Sequence, residues 1–197
     1  EIHWIMGFLS SVLLFCSILL HELAHSLIAR RLGLRVLGIT LFIFGGISTM
    51  EGEPQRPRDE LFIAGIGPVV SLVLSTIFLL SFYFLELNDK IEAICGYMAV
   101  INGILGVFNL IPGFPLDGGR ILRSILWAAT NNPTKATVIA SKIGQVCSFG
   151  FAGFGLFQIF NGIFLNGLWI ILIGWFLNRS AISVRRDIQG RLNKKEV

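Results

Sequence analysis

The segment His21–Glu22–Leu23–Ala24–His25 contains three side chains whose types and spacing suit chemistry. On a helix, residues four apart share a face one turn above each other, which stacks His21 and His25. Glu22 stands three residues before His25, at the edge of the same face. In this H-E-x-x-H arrangement two imidazoles hold a zinc ion and the glutamate acts as base toward a water on the metal. Five-residue matches of this kind also arise by chance in soluble helices, so the surroundings decide. From Trp4 to Ala29 the chain carries no charge other than Glu22. About 20 apolar residues suffice to cross a bilayer, and this run is longer. A carboxylate inside a span costs roughly 2.5–3.5 kcal/mol on insertion scales, which argues that it has work to do there.

Zinc at a catalytic site takes three protein ligands and a water. The chain has three histidines, and His3 falls at the opposite end of the first span from His21 and His25. A carboxylate or thiolate is therefore expected as third ligand. Among the twelve acidic residues, only Glu22 and Asp117 lie outside loops, tails and span ends. His25 precedes Arg30 by about 7.5 Å of helix rise and Asp117 precedes Arg123 by about 9 Å, so both approach one membrane face from similar depth. Asp117 is the expected third ligand. Its alternative role is to cap the helix that resumes after Pro115, and the two roles are compatible.

These residues need elements to position them, and composition says which kind. The chain of 197 residues is 54% hydrophobic and only 14% charged, against about 25% charged in soluble domains. Its mean hydropathy is +0.75. An all-α polytopic membrane protein is expected, with about five transmembrane helices in a single domain over residues 1–197. The opening lacks the positive n-region and cleavage site of a signal peptide. The chain begins at Glu1, and it is expected to be a piece of something longer. Cys16, Cys95 and Cys147 stand singly in apolar segments, as packing residues do, and suggest neither a disulfide set nor a metal cluster.

The first span runs from about Trp4 to Ala29 and ends at Arg30–Arg31. Val36–Met50 is apolar and rich in β-branched residues but too short to cross as a helix. It is expected to form a hairpin at the membrane edge, turning at Gly45–Gly46. A charged loop at 51–60 leads into a second span, about Leu61–Leu85, with Gly65, Gly67 and Pro68 near its start suggesting a kink or close helix contact. After the acidic turn at 86–90 a third span covers about Ile91–Ile111, breaks at Pro112–Gly113–Phe114–Pro115, and resumes as a helix from Leu116–Asp117 to about Ala129. A fourth span covers about Ala136–Phe160, where Gly150, Gly153 and Gly155 would allow tight packing. A shorter fifth ends at Asn178, before a basic tail at 179–197. Alternating these spans puts all of the sixteen Lys and Arg on one side except Lys90. The positive-inside rule makes that side, and the C-terminus, cytoplasmic. Topology thus accounts for the net charge of +4, and no nucleic-acid partner is implied.

His21–Glu22–Leu23–Ala24–His25, followed by Asn109–Leu110–Ile111–Pro112–Gly113–Phe114–Pro115–Leu116–Asp117–Gly118–Gly119, resembles the site-2 protease family of intramembrane zinc metalloproteases. Gly67–Pro68–Val69–Val70–Ser71 is similar to that family's small-residue motif, and Gly45–Gly46 falls where its membrane-edge sheet would lie. The resemblance covers a three-helix catalytic core at about residues 4–130. It implies one zinc per chain on His21, His25 and Asp117, with Glu22 activating the water. Asn109 would bind substrate or the developing oxyanion; otherwise it satisfies backbone freed by the break at Pro112. The implied substrates are single-span membrane proteins in the bilayer of a prokaryotic cell, cut near the cytoplasmic side, with the hairpin offering an edge to an unwound substrate strand. The turn at 86–90 is too short for the PDZ domain some members insert. The match is therefore to the branch without it, whose members often carry a cytoplasmic pair of C-terminal CBS domains; members of the family usually have a further span before the motif-bearing helix, which this sequence does not include. A membrane transporter or metal carrier using His21, His25 and Asp117 as a transit site is the alternative. It leaves Glu22 without a use, and the chain shows no internal repeat.

Overall fold

The computed structural model describes residues 2–42, 45–86 and 88–193. The chain divides into two compact units, one up to Asn109 and one from Leu110 onward. The first holds α1 (Ile2–Arg31), β1 (Arg35–Phe42), β2 (Gly45–Glu51), α2 (Pro57–Phe84) and α3 (Asp89–Asn109). The second holds α4 (Asp117–Thr130), α5 (Pro133–Phe160) and α6 (Phe164–Asn193). Parts of α1, α2, α3, α5 and α6 are each long and apolar enough to cross a membrane.

Local chemistry explains where the helices of the first unit start and stop. Arg30 and Arg31 sit in the last turn of α1, where cations favour the negative end of the helix dipole. Gly33 then takes φ +85°. Leu34 N–H donates to the Ala29 carbonyl at 3.0 Å, closing a glycine-terminated helix end. Pro57 opens α2, with Asp59 and Glu60 in its first turn, the arrangement that start-of-helix sterics and dipole both favour.

Helix α1 has polar residues inside and apolar ones outside. Ser17, His21, Glu22, His25, Ser26 and Ala29 are buried, while Trp4, Phe8, Phe15, Leu19, Leu23 and Leu27 are exposed. Lipid is as apolar as a leucine core, so such a helix gains from turning its polar groups toward its neighbours. Helices α2 and α3 meet through small residues. Ser75 Oγ donates to the Ala99 carbonyl at 2.7 Å. A Cβ on Gly106 would stand 2.9 Å from Leu72 Cγ and 3.3 Å from the Pro68 carbonyl oxygen.

The hairpin is a two-stranded antiparallel sheet. Gly45 pairs with Phe42 and Gly46 with Leu41. The glycines expected at the turn are therefore ladder residues; positions 43–44 lie outside the described residues. A bulge lies between Val36 and Gly38.

In the second unit, residues 110–116 fold back on the start of α4. A Cβ on Gly118 would collide with the carbonyls of Leu110 and Ile111, and one on Gly119 would lie 2.7 Å from the Gly113 carbonyl carbon. Gly113 in turn rests on α5, where a Cβ on Gly144 would stand 3.0 Å from Gly113 Cα. Asn131 takes the left-handed conformation after α4, and Asn132 caps α5 by accepting from Lys135 N–H at 2.9 Å. Helices α5 and α6 touch backbone to backbone. A Cβ on Gly155 would lie 2.6 Å from the Gly167 carbonyl oxygen, and one on Gly174 2.7 Å from that of Ser148. Gly150 and Gly153 have nothing within 4 Å, so of the three glycines expected to pack, Gly155 does. Gln145 Nε2 donates to Asn178 Oδ1 at 3.2 Å, and Arg185 donates to Gln145 Oε1. Helix α6 runs on through the basic segment to Asn193, because no Pro or helix-ending turn follows Asn178.

Candidate metal centre

The α1 face carrying His21 and His25 docks against α2. The two histidines are 3% exposed each, and their rings stand edge to face with centroids 4.9 Å apart. The Nδ1 atoms are both engaged by α2. His25 Nδ1 lies 2.5 Å from the Ile63 carbonyl oxygen. A carbonyl only accepts, so this nitrogen carries the hydrogen and Nε2 keeps its lone pair in the neutral ring. His21 Nδ1 lies 2.9 Å from Ser71 Oγ.

Between these two contacts sits Gly67. A Cβ built there would lie 2.6 Å from His21 Nε2, 2.5 Å from His25 Cε1, and closer still to His25 Nε2. Both Nε2 atoms thus lie close to each other and to α2, in room left by the missing side chain of residue 67. Two neighbouring imidazole nitrogens, with their other nitrogens tied to the protein, are a donor pair that suits zinc and other imidazole-seeking cations. Glu22 is buried on the same helix, at 8% exposure, and supplies a carboxylate next to this pair in sequence.

Asn109 is the last residue of α3, within the same unit. Its Nδ2 donates to the Leu105 carbonyl at 3.0 Å, one turn back in its own helix, and its amide oxygen is a separate acceptor. Asp117 belongs to the second unit, as the first residue of α4, and is buried. The cap position is taken by Leu116, which makes no side-chain cap bond. Asp117 is therefore not the N-cap residue that the alternative reading required. Its carboxylate stands in the first helical turn, where a negative charge is favoured, and Gly118 and Gly119 allow the loop before it to close.

By sequence Glu60 falls in the charged loop at 51–60, and Asn102 was passed over. Glu60 is 2% exposed and Asn102 0%. Glu60 shares the spacing of Ile63, Gly67 and Ser71 along α2. The signal for Asn102 was present: a carboxamide within an apolar span has to find partners inside the protein, and its Nδ2 donates to the Met98 carbonyl at 2.8 Å.

The family model of peptidase family M50 matches residues 9–88 and 85–151. The chain belongs to this family. Zinc metalloprotease MJ0392 of Methanocaldococcus jannaschii is 36% identical over 189 residues, 96% of this chain and 52% of that one. A Synechocystis relative is 42% identical over 186 residues, covering 94% of this chain and 49% of its own. The chain thus spans about half the length of these curated M50 relatives. Among solved structures, the site-2 protease from Methanocaldococcus jannaschii is similar at TM-score 0.68 and 33% identity, over 94% of this chain and 80% of that one. Membership of M50, with five helices of spanning length and composition among the described residues, makes the chain an integral multi-pass membrane protein of the site-2 protease fold.

Proposed function

We propose that this chain is a zinc metallopeptidase domain that cuts peptide bonds within or near the transmembrane segments of single-span membrane proteins. The observation that carries the reading is the close approach of His21 and His25 Nε2 beside Gly67, in a chain of a peptidase family. In this proposal the two units act as one domain, and Asp117 completes the ligand set with His21 and His25. Zinc, when bound, supplies Lewis acidity toward a water and a carbonyl oxygen.

The chain's own groups do the rest. Glu22 accepts a proton as the water oxygen bonds to the scissile carbonyl carbon, and delivers it to the amine nitrogen as the C–N bond breaks. Asn109 keeps its Nδ2 on the α3 backbone and offers its amide oxygen to a substrate N–H, holding an unwound segment in place. The free edge of the β1–β2 hairpin takes that segment as an added strand. The active site opens toward the cytoplasm of a prokaryotic cell, where water is at hand.

The test uses the purified chain and a purified single-span substrate. Cleavage should stop on chelation and return with added zinc, and the double change His21→Ala with His25→Ala should abolish both zinc binding and cleavage. Full zinc content in the double variant would overturn the ligand assignment. Zinc binding by the unaltered chain without cleavage of any single-span substrate would favour a metal carrier.

A further inference from the structure

The two histidines are held differently, and the difference assigns a task to Ser71. At His25 the Ile63 carbonyl leaves no choice, since it can only accept a hydrogen. At His21 the partner is a hydroxyl, which can donate or accept. If Ser71 donates, His21 carries its hydrogen on Nε2, and that nitrogen cannot ligate a cation. If Ser71 accepts, both Nε2 atoms keep their lone pairs for one. We propose that Ser71 is a positioning residue that holds His21 in its Nδ1–H form, so that Nε2 faces the metal. The inference rests on the zinc reading above.

Two observations support it. Ser71 is 0% exposed, so water does not compete for its hydroxyl. It lies one helical turn beyond Gly67, which lies one turn beyond Ile63, and α2 thereby presents a carbonyl, a glycine and a hydroxyl in register with one face of α1.

Removing such an orienting partner typically weakens metal binding about 10–100-fold. The experiment measures the zinc dissociation constant of the full chain in detergent against a competing chelator, for the unaltered protein, Ser71→Ala, Ser71→Cys and Ser71→Thr. Melting of the zinc-free proteins reports folding separately, and the visible absorption of the cobalt-loaded forms reports ligand geometry. Ser71→Ala and the weakly accepting Ser71→Cys should bind zinc about 10–100-fold more weakly and alter the cobalt bands, with zinc-free melting unchanged. Ser71→Thr, which keeps a hydroxyl, should bind more tightly than Ser71→Ala. Unchanged zinc affinity and cobalt bands in both Ser71→Ala and Ser71→Cys would overturn the proposal, as would a loss of affinity matched by a loss of zinc-free stability in both. An unaltered chain that binds no zinc would instead remove the reading beneath it.

Discussion

A methyl group added at Gly67 would point at the Nε2 atoms of both His21 and His25. Gly67→Ala should therefore displace the two rings and weaken zinc binding at least about tenfold. Overpacking of this kind costs about 1–3 kcal/mol in stability, small enough for the helices to persist. Zinc content after dialysis, with helicity by circular dichroism, checks this, and a Gly67→Ala protein with normal zinc would mean the metal sits elsewhere. Residues at this scale were unevenly legible in the sequence. His21, Glu22 and His25 could be read because helical spacing is local. Ser71 and the Ile63 carbonyl could not, because their partners lie 50 and 38 residues away and meet only once α1 docks on α2. Gly67 was legible as a small residue, but not as the residue that makes room at the site.

At the scale of elements, the α5–α6 contact separates glycines that pack from glycines that do not. A Cβ on Gly167 would lie 2.5 Å from the Gly155 carbonyl oxygen, and backbone cannot yield as a side-chain tip does. Gly167→Leu or Gly155→Leu should lower the melting temperature in detergent, at a cost of about 1–3 kcal/mol. Gly150→Ala and Gly153→Ala meet open space and should be neutral, or stabilising by up to about 1 kcal/mol through helix propensity. Equal melting shifts at all four positions would contradict the packing described. The hairpin offers a second element-scale test. Proline removes an N–H without adding charge, so single prolines at Thr40, Leu41 and Phe42 probe the β1 edge. At least one should cut cleavage sharply at normal zinc content. If every loss of activity tracks a loss of folding, the strand-pairing role fails. Hydropathy and β-branching located these elements well, because both are local properties. They misassigned the turn to Gly45–Gly46 because a Gly-Gly pair fits a tight turn as readily as a ladder position, and pairing register decides between them.

At the scale of the whole molecule, the proposed orientation rests on charge. Lys90 is the sole cation on its side of the expected arrangement, so the α2–α3 turn is expected to face outward. In a chain with Cys16, Cys95 and Cys147 replaced, a cysteine at Asp89 should react with an impermeant thiol reagent on intact cells. Cysteines at Gln55 or Asn132 should react only after permeabilisation. The reverse pattern would place the site on the other face. The membrane spans were legible because a bilayer constrains length and polarity along the chain itself. The continuation of α6 to Asn193 was not, since a basic helix and a basic tail share one composition.

The central claim is that Glu22 is the base of a zinc peptidase and not a metal ligand. Glu22→Gln keeps the shape and hydrogen bonding of the side chain but removes the proton acceptor. Zinc content and single-span substrate cleavage, measured side by side on the unaltered chain and Glu22→Gln, test this most directly. One zinc per chain is expected in both proteins, with cleavage reduced about 10²–10⁴-fold in the variant, the usual worth of general-base catalysis. Loss of zinc from Glu22→Gln, or cleavage at the unaltered rate, would contradict it.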